Sequence, residues 1–530
     1  MTEKTADIER IREQVEERRR IAREQLEAKK PPADEQQGGI KSDLVIDCLY
    51  ANASGDGILF AELFRDKYLF HNLAQEWMVW DGHHWAWDIC NQALKSVEAV
   101  AQVYLEEARR LVDQIDWATR KGDKDQVRRL QDRQADIYKR VARLRSENGR
   151  QNCLKFARSN SVNSLDTAGD KFDMDPWLLV CTNGVLDLRT GELRDGRPED
   201  QNSRCCNSEW TGIDTKSPAL ERFMKETLRY DDLIDFSQRL FGYGITGLTT
   251  EHVVPVLWGE NGRNGKGTLV ETIMHVLGDY AGPIESEMLL DSGRAKSSAG
   301  PSPDIMDLKG VRLAFASETD ENRKFSTARV KWLSGGDTLK GRWPHEKRPV
   351  SFRPSHLLVL MTNNKPHAPA EDAAFWERLK LIPFEISFVR DRDPQGDFER
   401  PADINLKEKL LAESSGIVAW LVRGCLAWQQ HGLQPPSIVM DATAEYRRDE
   451  DILSDFIDDQ CLLDKNAECP ASDLYARFQE WWEQNISKKR IPSQKKFGKW
   501  MSKKFKKEKQ GKYKYFGLDL MDHGADLFGR

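Results

Sequence analysis

The sequence has 530 residues and a formal net charge of −6, with 39% hydrophobic and 31% charged residues. A single hydrophobic core rarely grows beyond ~250–300 residues, so this length predicts several domains. The sequence has no apolar run near the ~20 residues of a membrane span, which argues against a membrane partner. Nine scattered cysteines without a Cys-x-x-Cys pair argue against a zinc site or a disulfide framework.

The first 250 residues predict three successive regions. Residues 1–40 are mostly charged or polar, which is typical of a partly disordered arm. Residues 41–210 predict an α+β domain, because the dipeptide Asp81-Gly82 between two tryptophan-rich runs is typical of a β-hairpin. Within the same domain, two charged amphipathic stretches between residues 92 and 150 predict a helical hairpin. Residues 211–250 predict a helical collar.

A glycine-rich loop, Gly-Glu-Asn-Gly-Arg-Asn-Gly-Lys-Gly-Thr, occupies residues 259–268. It follows an apolar run at 253–258, which predicts a strand, and precedes an amphipathic run at 269–277, which predicts a helix. Glycines allow positive φ angles that aim several N–H groups at one anion, and a helix N-terminus adds partial positive charge. Strand, glycine-rich loop and helix together predict a phosphate-binding loop.

Within this loop, Lys266 is predicted to reach the outer phosphates and Thr268 to offer a hydroxyl to Mg²⁺. The spacing departs from the standard motif, since five residues separate Gly259 from Gly265 and Gly267 follows the lysine. The departure leaves the contact between Thr268 and Mg²⁺ as an open alternative. The residues expected to contact the nucleotide are Gly259, Asn261, Gly262, Asn264, Gly265, Lys266, Gly267 and Thr268.

Two apolar strands after the loop are predicted to end in polar side chains. The first ends at Glu318, a carboxylate that can orient Mg²⁺ and an attacking water, with Asp320 and Glu321 as alternatives. The second ends at Asn363, whose amide can hydrogen-bond the water or the γ-phosphate, with Asn364 as the competing residue. We therefore expect an acid and an amide beside the phosphate-binding loop.

A basic hairpin is predicted between these two strands, and cations at a hairpin suit contact with a nucleic-acid backbone. Its expected DNA-binding residues are Lys340, Arg342, His345, Lys347 and Arg348. Further along, Arg378 precedes a predicted strand, where an arginine donated to a neighbouring subunit can stabilise the charge that develops during phosphoryl transfer.

The last 130 residues predict a helical lid at 401–448 and a small basic domain at 449–530. Between Lys488 and Lys514 there are thirteen basic residues and one acid. Helices are predicted at 453–461, 472–485 and 493–505, followed by a short aromatic strand pair, and this order is typical of a winged helix. The lysines expected to contact DNA from the third helix are Lys495, Lys496, Lys499 and Lys503.

The order of these motifs resembles the superfamily 3 helicase module of phage and plasmid replication proteins. That module is often fused to a primase and is similar to the poxvirus primase-helicase. The resemblance covers roughly residues 45–520. The residues that carry it are Asn264-Gly-Lys-Gly-Thr268, Ala316-Ser-Glu318, Leu333-Ser-Gly-Gly-Asp337, Met361-Thr-Asn363 and Phe375-Trp-Glu-Arg378-Leu-Lys-Leu-Ile-Pro-Phe384.

The resemblance implies an AAA+-like P-loop ATPase core at 251–400 that uses ATP and Mg²⁺. It implies that Lys266 binds phosphate and that Glu318 is the catalytic acid. Glu318 and Thr268 are the candidate metal contacts, and the single acid leaves the second metal-side group unassigned. Asn363 is then the sensor and Arg378 the arginine finger. It further implies a homo-hexameric ring on single-stranded and forked DNA in bacterial or phage-infected host cytoplasm. A separate primase or other replication proteins would be further partners, because the chain has no motif resembling a primase active site.

The sequence thus favours an ATP-dependent DNA helicase of phage or plasmid replication, with a 3′→5′ direction that rests on the resemblance alone. The alternative is an initiator protein that uses ATP binding to assemble at an origin without processive unwinding. A small-molecule phosphotransferase with a P-loop is a third reading, which leaves the basic hairpin and the C-terminal lysines unexplained.

Overall fold

The computed structural model describes residues 40–159, 163–169, 171–260, 262–291, 302–318, 323–344, 349–390, 392–486, 491–510 and 512–521. The arm predicted over residues 1–40 lies outside them except for its last residue. The described chain divides into two compact units, one comprising residues up to Val79 together with Trp87–Ala168, and the other comprising Trp80–Ala86 together with the residues from Gly169 onward. The predicted domain at 41–210 spans this division.

The first unit is mainly helical. Its helices are α1 Ser42–Tyr50, α2 Ala53–Leu63, α3 Gln92–Lys121, α4 Lys124–Leu144 and α5 Glu147–Ala157. Strand β1 Tyr68–His71 pairs antiparallel with β2 Glu76–Trp80 and parallel with β4 Asp166–Thr167. Residues Trp80–Ala86, which belong to the second unit, contain a turn in which Asp81 N donates to His84 O at 2.9 Å, and strand β3 Trp85–Trp87 follows this turn.

A buried ion pair joins three helices of the first unit. Arg140 Nε of α4 donates to Asp56 Oδ1 of α2 at 2.8 Å, and Tyr104 OH of α3 donates to the same oxygen at 3.1 Å. Burial raises the pKa of Asp56, and the Arg140 guanidinium opposes that shift. The pair therefore fixes these helices to one another at a polar point in an otherwise apolar core.

The second unit contains the remaining elements. Its helices are α6 Pro218–Leu228, α7 Asp231–Gly244, α8 Lys266–Leu277, α9 Pro303–Met306, α10 Thr327–Leu333, α11 Ala373–Arg378, α12 Leu406–Ala412, α13 Ser414–His431, α14 Ser437–Asp449, α15 Ile452–Gln460, α16 Ala471–Asn485 and α17 Gln494–Lys504. Its strands are β5 Leu178–Cys181, β6 Gly184–Asp187, β7 Glu192–Arg194, β8 Val254–Trp258, β9 Ala281–Ile284, β10 Leu313–Glu318, β11 Leu339–Gly341, β12 Val350–Phe352, β13 Leu357–Thr362, β14 Leu379–Pro383, β15 Ser387–Val389, β16 Glu399–Pro401, β17 Cys461–Leu462, β18 Glu468–Pro470, β19 Lys506–Gln510, β20 Lys512–Phe516 and β21 Asp519–Leu520.

The centre of the second unit is a parallel sheet of five strands in the order β14-β8-β13-β10-β9. Its three central strands, β8, β13 and β10, consist mostly of buried apolar residues, as expected for strands that are covered on both faces. The register places Trp258 of β8 beside Thr362 of β13, and Thr362 beside Glu318 of β10. The three strands therefore reach the carboxyl edge of the sheet at the same level. This confirms the predicted α/β class of the core, and the structure shows that its central sheet is parallel.

Helices α7 and α13 cross at very close range on one side of this sheet. A Cβ atom at Gly242 of α7 would lie 2.2 Å from Cys425 N, and one at Gly424 of α13 would lie 2.0 Å from Gln238 O. Only glycine allows the two backbones to approach this closely. The predicted collar and lid regions are thereby packed directly against each other.

The last part of the second unit has a core of its own, in which the rings of Phe456, Phe478 and Phe497 pack together. Helices α15, α16 and α17 lie within one residue of the three predicted helices at both ends. Strands β18, β20 and β19 form an antiparallel sheet in that order, and β17 pairs with β21. Strand β18 lies between α15 and α16 in the sequence and was not predicted.

Across the described ranges, no single helix is long and apolar enough to cross a membrane. Helices α12 and α13 together have that length and apolar character, but the chain bends by 74° between them.

Candidate nucleotide-binding site

The glycine-rich loop connects the carboxyl end of β8 to the first residue of α8. Its backbone has positive φ at Gly262 (68°), Arg263 (49°) and Gly265 (83°), as expected for a loop that turns its N–H groups inward. The first N–H groups of α8 have no acceptor within the helix, so they remain able to bind an anion. Asn261 lies outside the described residues.

The loop is held in place by backbone and amide contacts that the sequence did not indicate. Asn264 is buried, and its Nδ2 donates to Ile386 O at 2.9 Å. Arg263 O accepts a hydrogen bond from Phe388 N at 3.0 Å. At Gly259, an added Cβ would lie 2.6 Å from the Asn264 side chain, so glycine is needed there for close approach. The loop is thus fixed against the segment that follows β14.

Lys266 points into the loop. Its Nζ donates to Gly259 O at 3.0 Å, to Asn264 Oδ1 at 3.2 Å and to Asn363 Oδ1 at 2.8 Å. All three acceptors are neutral, and burial lowers the pKa of Lys266 to about 8. A buried ammonium group that has only neutral acceptors suits an anionic ligand, because a phosphate would supply the missing counter-charge.

The two predicted polar strand ends lie at the same edge of the sheet, and one of them, Asn363, contacts this lysine. Glu318 is the last residue of β10 and is paired in register with Thr362, the residue before Asn363. Asn363 contacts Lys266 through its side chain, whereas the backbone N of Asn364 donates to Thr362 Oγ1 at 3.1 Å. The alternative acids Asp320 and Glu321 lie outside the described residues.

A metal bound with a nucleotide would have two protein groups at this edge. Thr268 is half-buried in the first turn of α8, and Glu318 ends β10 at the same edge of the sheet. Gly267 occupies the position where the standard motif has a serine or threonine. It is exposed, and an added Cβ there would meet no atom within 4 Å. The donor set of one hydroxyl and one carboxylate fits Mg²⁺, which binds few protein oxygens and keeps phosphate and water ligands.

Arg378 is not brought to the loop. It is the last residue of α11, and the next residue, Leu379, pairs with Val254 at the start of β8. The length of β8 therefore separates Arg378 from the loop, which is roughly 13 Å at a rise of about 3.3 Å per residue. Its Nη1 donates to Ala374 O at 2.7 Å, and its buried Nε has no hydrogen-bond partner among the described residues.

The predicted basic hairpin is present as β11 and β12, which pair antiparallel with Lys340 opposite Ser351. Lys340 is exposed, and Arg342 N donates to Ser302 Oγ at 3.2 Å. The predicted tip residues His345, Lys347 and Arg348 lie outside the described residues.

The C-terminal lysines form a basic face on α17. Lys495, Lys496 and Lys499 are exposed, whereas Phe497 and Met501 of the same helix are buried in the core. The exposed lysines thus occupy the side of the helix away from its core contacts. Lys503 belongs to the same helix, and only its backbone is described. The ribbon β19–β20 adds further exposed cations, which are Lys506, Lys507, Lys509 and Lys512.

Two known protein families match parts of the chain. Residues 57–229 match the family described as D5 N terminal like, and residues 448–518 match the family described as Poxvirus D5 protein-like. The chain thus resembles D5-type proteins over these two stretches. This confirms the resemblance to the poxvirus D5 type of replication protein that the motifs indicated.

Three viral proteins match the chain over about 60% of its length. An Acanthamoeba polyphaga mimivirus protein named as a putative helicase is 31% identical over 330 residues, which are 60% of this chain and 34% of that protein. A Frog virus 3 protein with the same naming is 25% identical over 389 residues, or 60% and 40% of the two chains. An African swine fever virus protein named as a putative primase is 22% identical over 352 residues, or 63% and 35%.

The chain therefore spans about a third to two fifths of the length of the curated relatives it matches. Among solved structures, the apo structure of the NrS-1 C-terminal region matches with a TM-score of 0.36 and 14% identity. That match covers 54% of this chain and 63% of the other.

Proposed function

We propose that the second unit is the ATPase motor of a DNA replication helicase. The observation that carries this proposal is the hydrogen bond between Lys266 and Asn363 at the carboxyl edge of the sheet, one strand away from Glu318. A loop lysine, an amide and an acid on neighbouring strand ends are the groups that hydrolysis of a nucleoside triphosphate requires. Hydrolysis at such a site could drive several kinds of reaction, and the names of the viral relatives favour DNA unwinding.

Each residue at this edge has a distinct role in the proposed reaction. Lys266 and the N–H groups of α8 bind the β- and γ-phosphates of ATP. Glu318 accepts the proton from the attacking water, and the Asn363 amide orients that water toward the γ-phosphorus. A new oxygen–phosphorus bond forms as the bond to the β-phosphate oxygen breaks, and ADP leaves with the electron pair. Thr268 and Glu318 would hold Mg²⁺, which would neutralise part of the phosphate charge.

Arg378 is proposed to act on the nucleotide of a neighbouring subunit. It lies at the amino edge of its own sheet, too far from its own loop to contact a phosphate there. A ring in which the amino edge of one core faces the loop of the next would bring the two together, as arginine fingers require. We propose a homo-hexamer of this kind, with the hairpin β11–β12 and its Lys340 and Arg342 directed at single-stranded DNA.

The basic C-terminal region is proposed to be a winged helix that binds DNA. In support, the chain order is α15, β18, α16, α17, β19, β20, and the third helix carries the exposed lysines. Lysines on an exposed helix face contact phosphates without reading sequence, which suits a motor that must bind any DNA. We propose that the ribbon β19–β20 is the wing.

The alternative role is an origin-assembly switch, and the response of ATP turnover to DNA separates it from a motor. A motor hydrolyses ATP continuously while it moves, so saturating single-stranded DNA is expected to raise kcat at least about tenfold. A switch would bind the same DNA and leave turnover slow. Steady-state phosphate release, measured with and without a 40-nucleotide single strand, is the test. A turnover rate that bound DNA does not change would favour the switch. It would also contradict the proposed 3′→5′ movement along DNA.

The pKa of Lys266 predicts a pH dependence of ATP affinity. Burial lowers this pKa to about 8 in the free protein, and a bound phosphate would raise it. Binding above pH 8 must then take up a proton, so affinity should be nearly constant below that pH and fall by up to about tenfold per pH unit above it. Titration with a fluorescent ATP analogue from about pH 7 to about pH 9.5 checks this. The variant Lys266→Arg, which stays charged, should show a flat profile, and an equally flat profile for the wild type would contradict the assignment.

A further inference from the structure

A nine-residue segment, Asn363–Glu371, connects the end of β13 to the residues before α11. We refer to it as the strap. Its backbone at His367 is paired with the chain that follows β10, since Phe325 N donates to His367 O at 2.9 Å and His367 N donates to Arg323 O at 2.8 Å. The strap therefore begins directly after β13, and its backbone is hydrogen-bonded to the segment that follows β10.

The first part of the strap is joined to the phosphate loop. Asn363 accepts from Lys266 through its side chain, and its backbone O accepts from Trp258 Nε1 at 3.0 Å. Lys365 Nζ lies 4.6 Å from the centre of the Trp258 ring. Trp258 is the last residue of the strand that leads into the loop. These contacts position Asn363 relative to the loop.

The middle of the strap is joined to the C-terminal end of α14. Glu450 accepts from Ala368 N at 3.0 Å and lies 3.1 Å from His367 Nδ1. Tyr446 is buried, and its hydroxyl donates to Pro366 O. Arg447 Nε donates to Ala370 O at 2.9 Å. Four positions along the strap are thus bonded to the last turn of α14 and the residue that follows it.

The end of the strap reaches the basic helix of the C-terminal domain. Trp500 Nε1 of α17 donates to Glu371 Oε1 at 2.7 Å. Lys504 Nζ, one turn further along α17, donates to Asp451 Oδ2 at 2.8 Å, and Asp451 directly follows Glu450. One bonded path therefore runs from Lys266 through the strap to the helix that carries the exposed lysines.

We propose that the strap couples the phosphate loop to the C-terminal domain, so that nucleotide bound at Lys266 changes the affinity of α17 for DNA. The inference rests on the proposed function. A phosphate at Lys266 would compete with Asn363 for the ammonium group, and the strap carries any shift of Asn363 to Glu371 and Trp500. Coupling of binding sites is reciprocal, so DNA on α17 must change nucleotide affinity by the same factor. In proteins with coupled sites, one ligand typically changes the affinity for the other by about 5- to 150-fold.

The test measures the DNA affinity of the full-length protein by fluorescence anisotropy, without nucleotide and with saturating Mg²⁺ and a non-hydrolysable ATP analogue. The ratio of the two dissociation constants in the wild type is expected to be at least about fivefold. Trp500→Phe removes the indole N–H and keeps an aromatic ring, and Glu371→Ala removes the acceptor. Both variants are expected to bring the ratio close to one. Glu371→Gln keeps an acceptor oxygen and should retain the wild-type ratio.

A comparison variant separates coupling from DNA contact. Replacing Lys495, Lys496 and Lys499 with alanine should weaken DNA binding itself in the absence of nucleotide, whereas Trp500→Phe and Glu371→Ala should leave that affinity close to the wild-type value and change only its response to nucleotide. A wild-type ratio near one, or an unchanged ratio in Trp500→Phe and Glu371→Ala, would overturn the inference. Nucleotide binding is measured on the same samples, because a wild type that binds no ATP analogue would overturn the proposed function itself. A wild type that binds the analogue without coupling overturns only the role of the strap.

Discussion

Replacing Lys266 with alanine is expected to reduce ATP turnover by at least on the order of 10²–10³-fold, the usual cost of removing a charge-stabilising donor. Its Nζ is the cationic donor that lies within the glycine-rich loop and contacts Asn363 at 2.8 Å. The substitution removes both phosphate binding and the group that stabilises charge as the γ-phosphate leaves. Phosphate-release kinetics over a range of ATP concentrations should show a lower kcat together with weaker binding.

The control for this variant is Lys139→Ala, which removes an exposed lysine of α4 that pairs only with Asp136 in the structure described. It should leave turnover unchanged. Lys266→Met keeps the volume of the side chain, so it distinguishes loss of charge from collapse of the loop. If Lys266→Ala turned over ATP within about twofold of the wild type, the phosphate site would have to lie elsewhere.

Arg378→Ala is expected to reduce turnover by about 10³- to 10⁵-fold, the range that arginine fingers contribute. The reason is the position of Arg378, which lies at the amino edge of the sheet, away from the loop of its own chain. Its effect must then come from a neighbouring subunit. Nucleotide affinity should change much less than kcat, because the guanidinium acts on charge that develops during the reaction.

Mixing the two inactive variants tests the shared site. In a mixed ring, a subunit with intact Lys266 can face a neighbour with intact Arg378, and such an interface should hydrolyse ATP. Combined Lys266→Ala and Arg378→Ala subunits are therefore expected to recover part of the wild-type rate. A mixture as inactive as its components, with subunits shown to exchange, would place Arg378 outside the site of its neighbour.

The loop and strand ends could be predicted because their signals are local in the sequence. The apolar run at 253–258 became β8 with a difference of one residue, and the loop begins directly after it. The sequence left open which of Asn363 and Asn364 contacts the lysine, because composition does not distinguish two neighbouring amides. In the structure the Asn363 side chain accepts from Lys266, and the backbone N of Asn364 donates to Thr362 Oγ1.

The contacts that fix the loop and the strap could not be predicted, because they join residues far apart in the sequence. Asn264 is bonded to Ile386, and Trp500 to Glu371, across separations of 122 and 129 residues. No periodicity or motif marks such pairs. Strand β18 was missed for another reason, since Glu-Cys-Pro is too short to show alternation and proline is disfavoured in most strands. Its place in the sheet comes from pairing with β20.

The measurement that tests the central claim most directly is the unwinding of forked DNA by the wild-type protein with ATP and Mg²⁺. The account predicts strand separation that requires hydrolysis, so a non-hydrolysable analogue and Lys266→Ala should both abolish it. Forks with only a 3′ or only a 5′ single-stranded arm report the direction. A protein that binds the forks and hydrolyses ATP but never separates the strands would contradict a helicase and leave the assembly switch as the function.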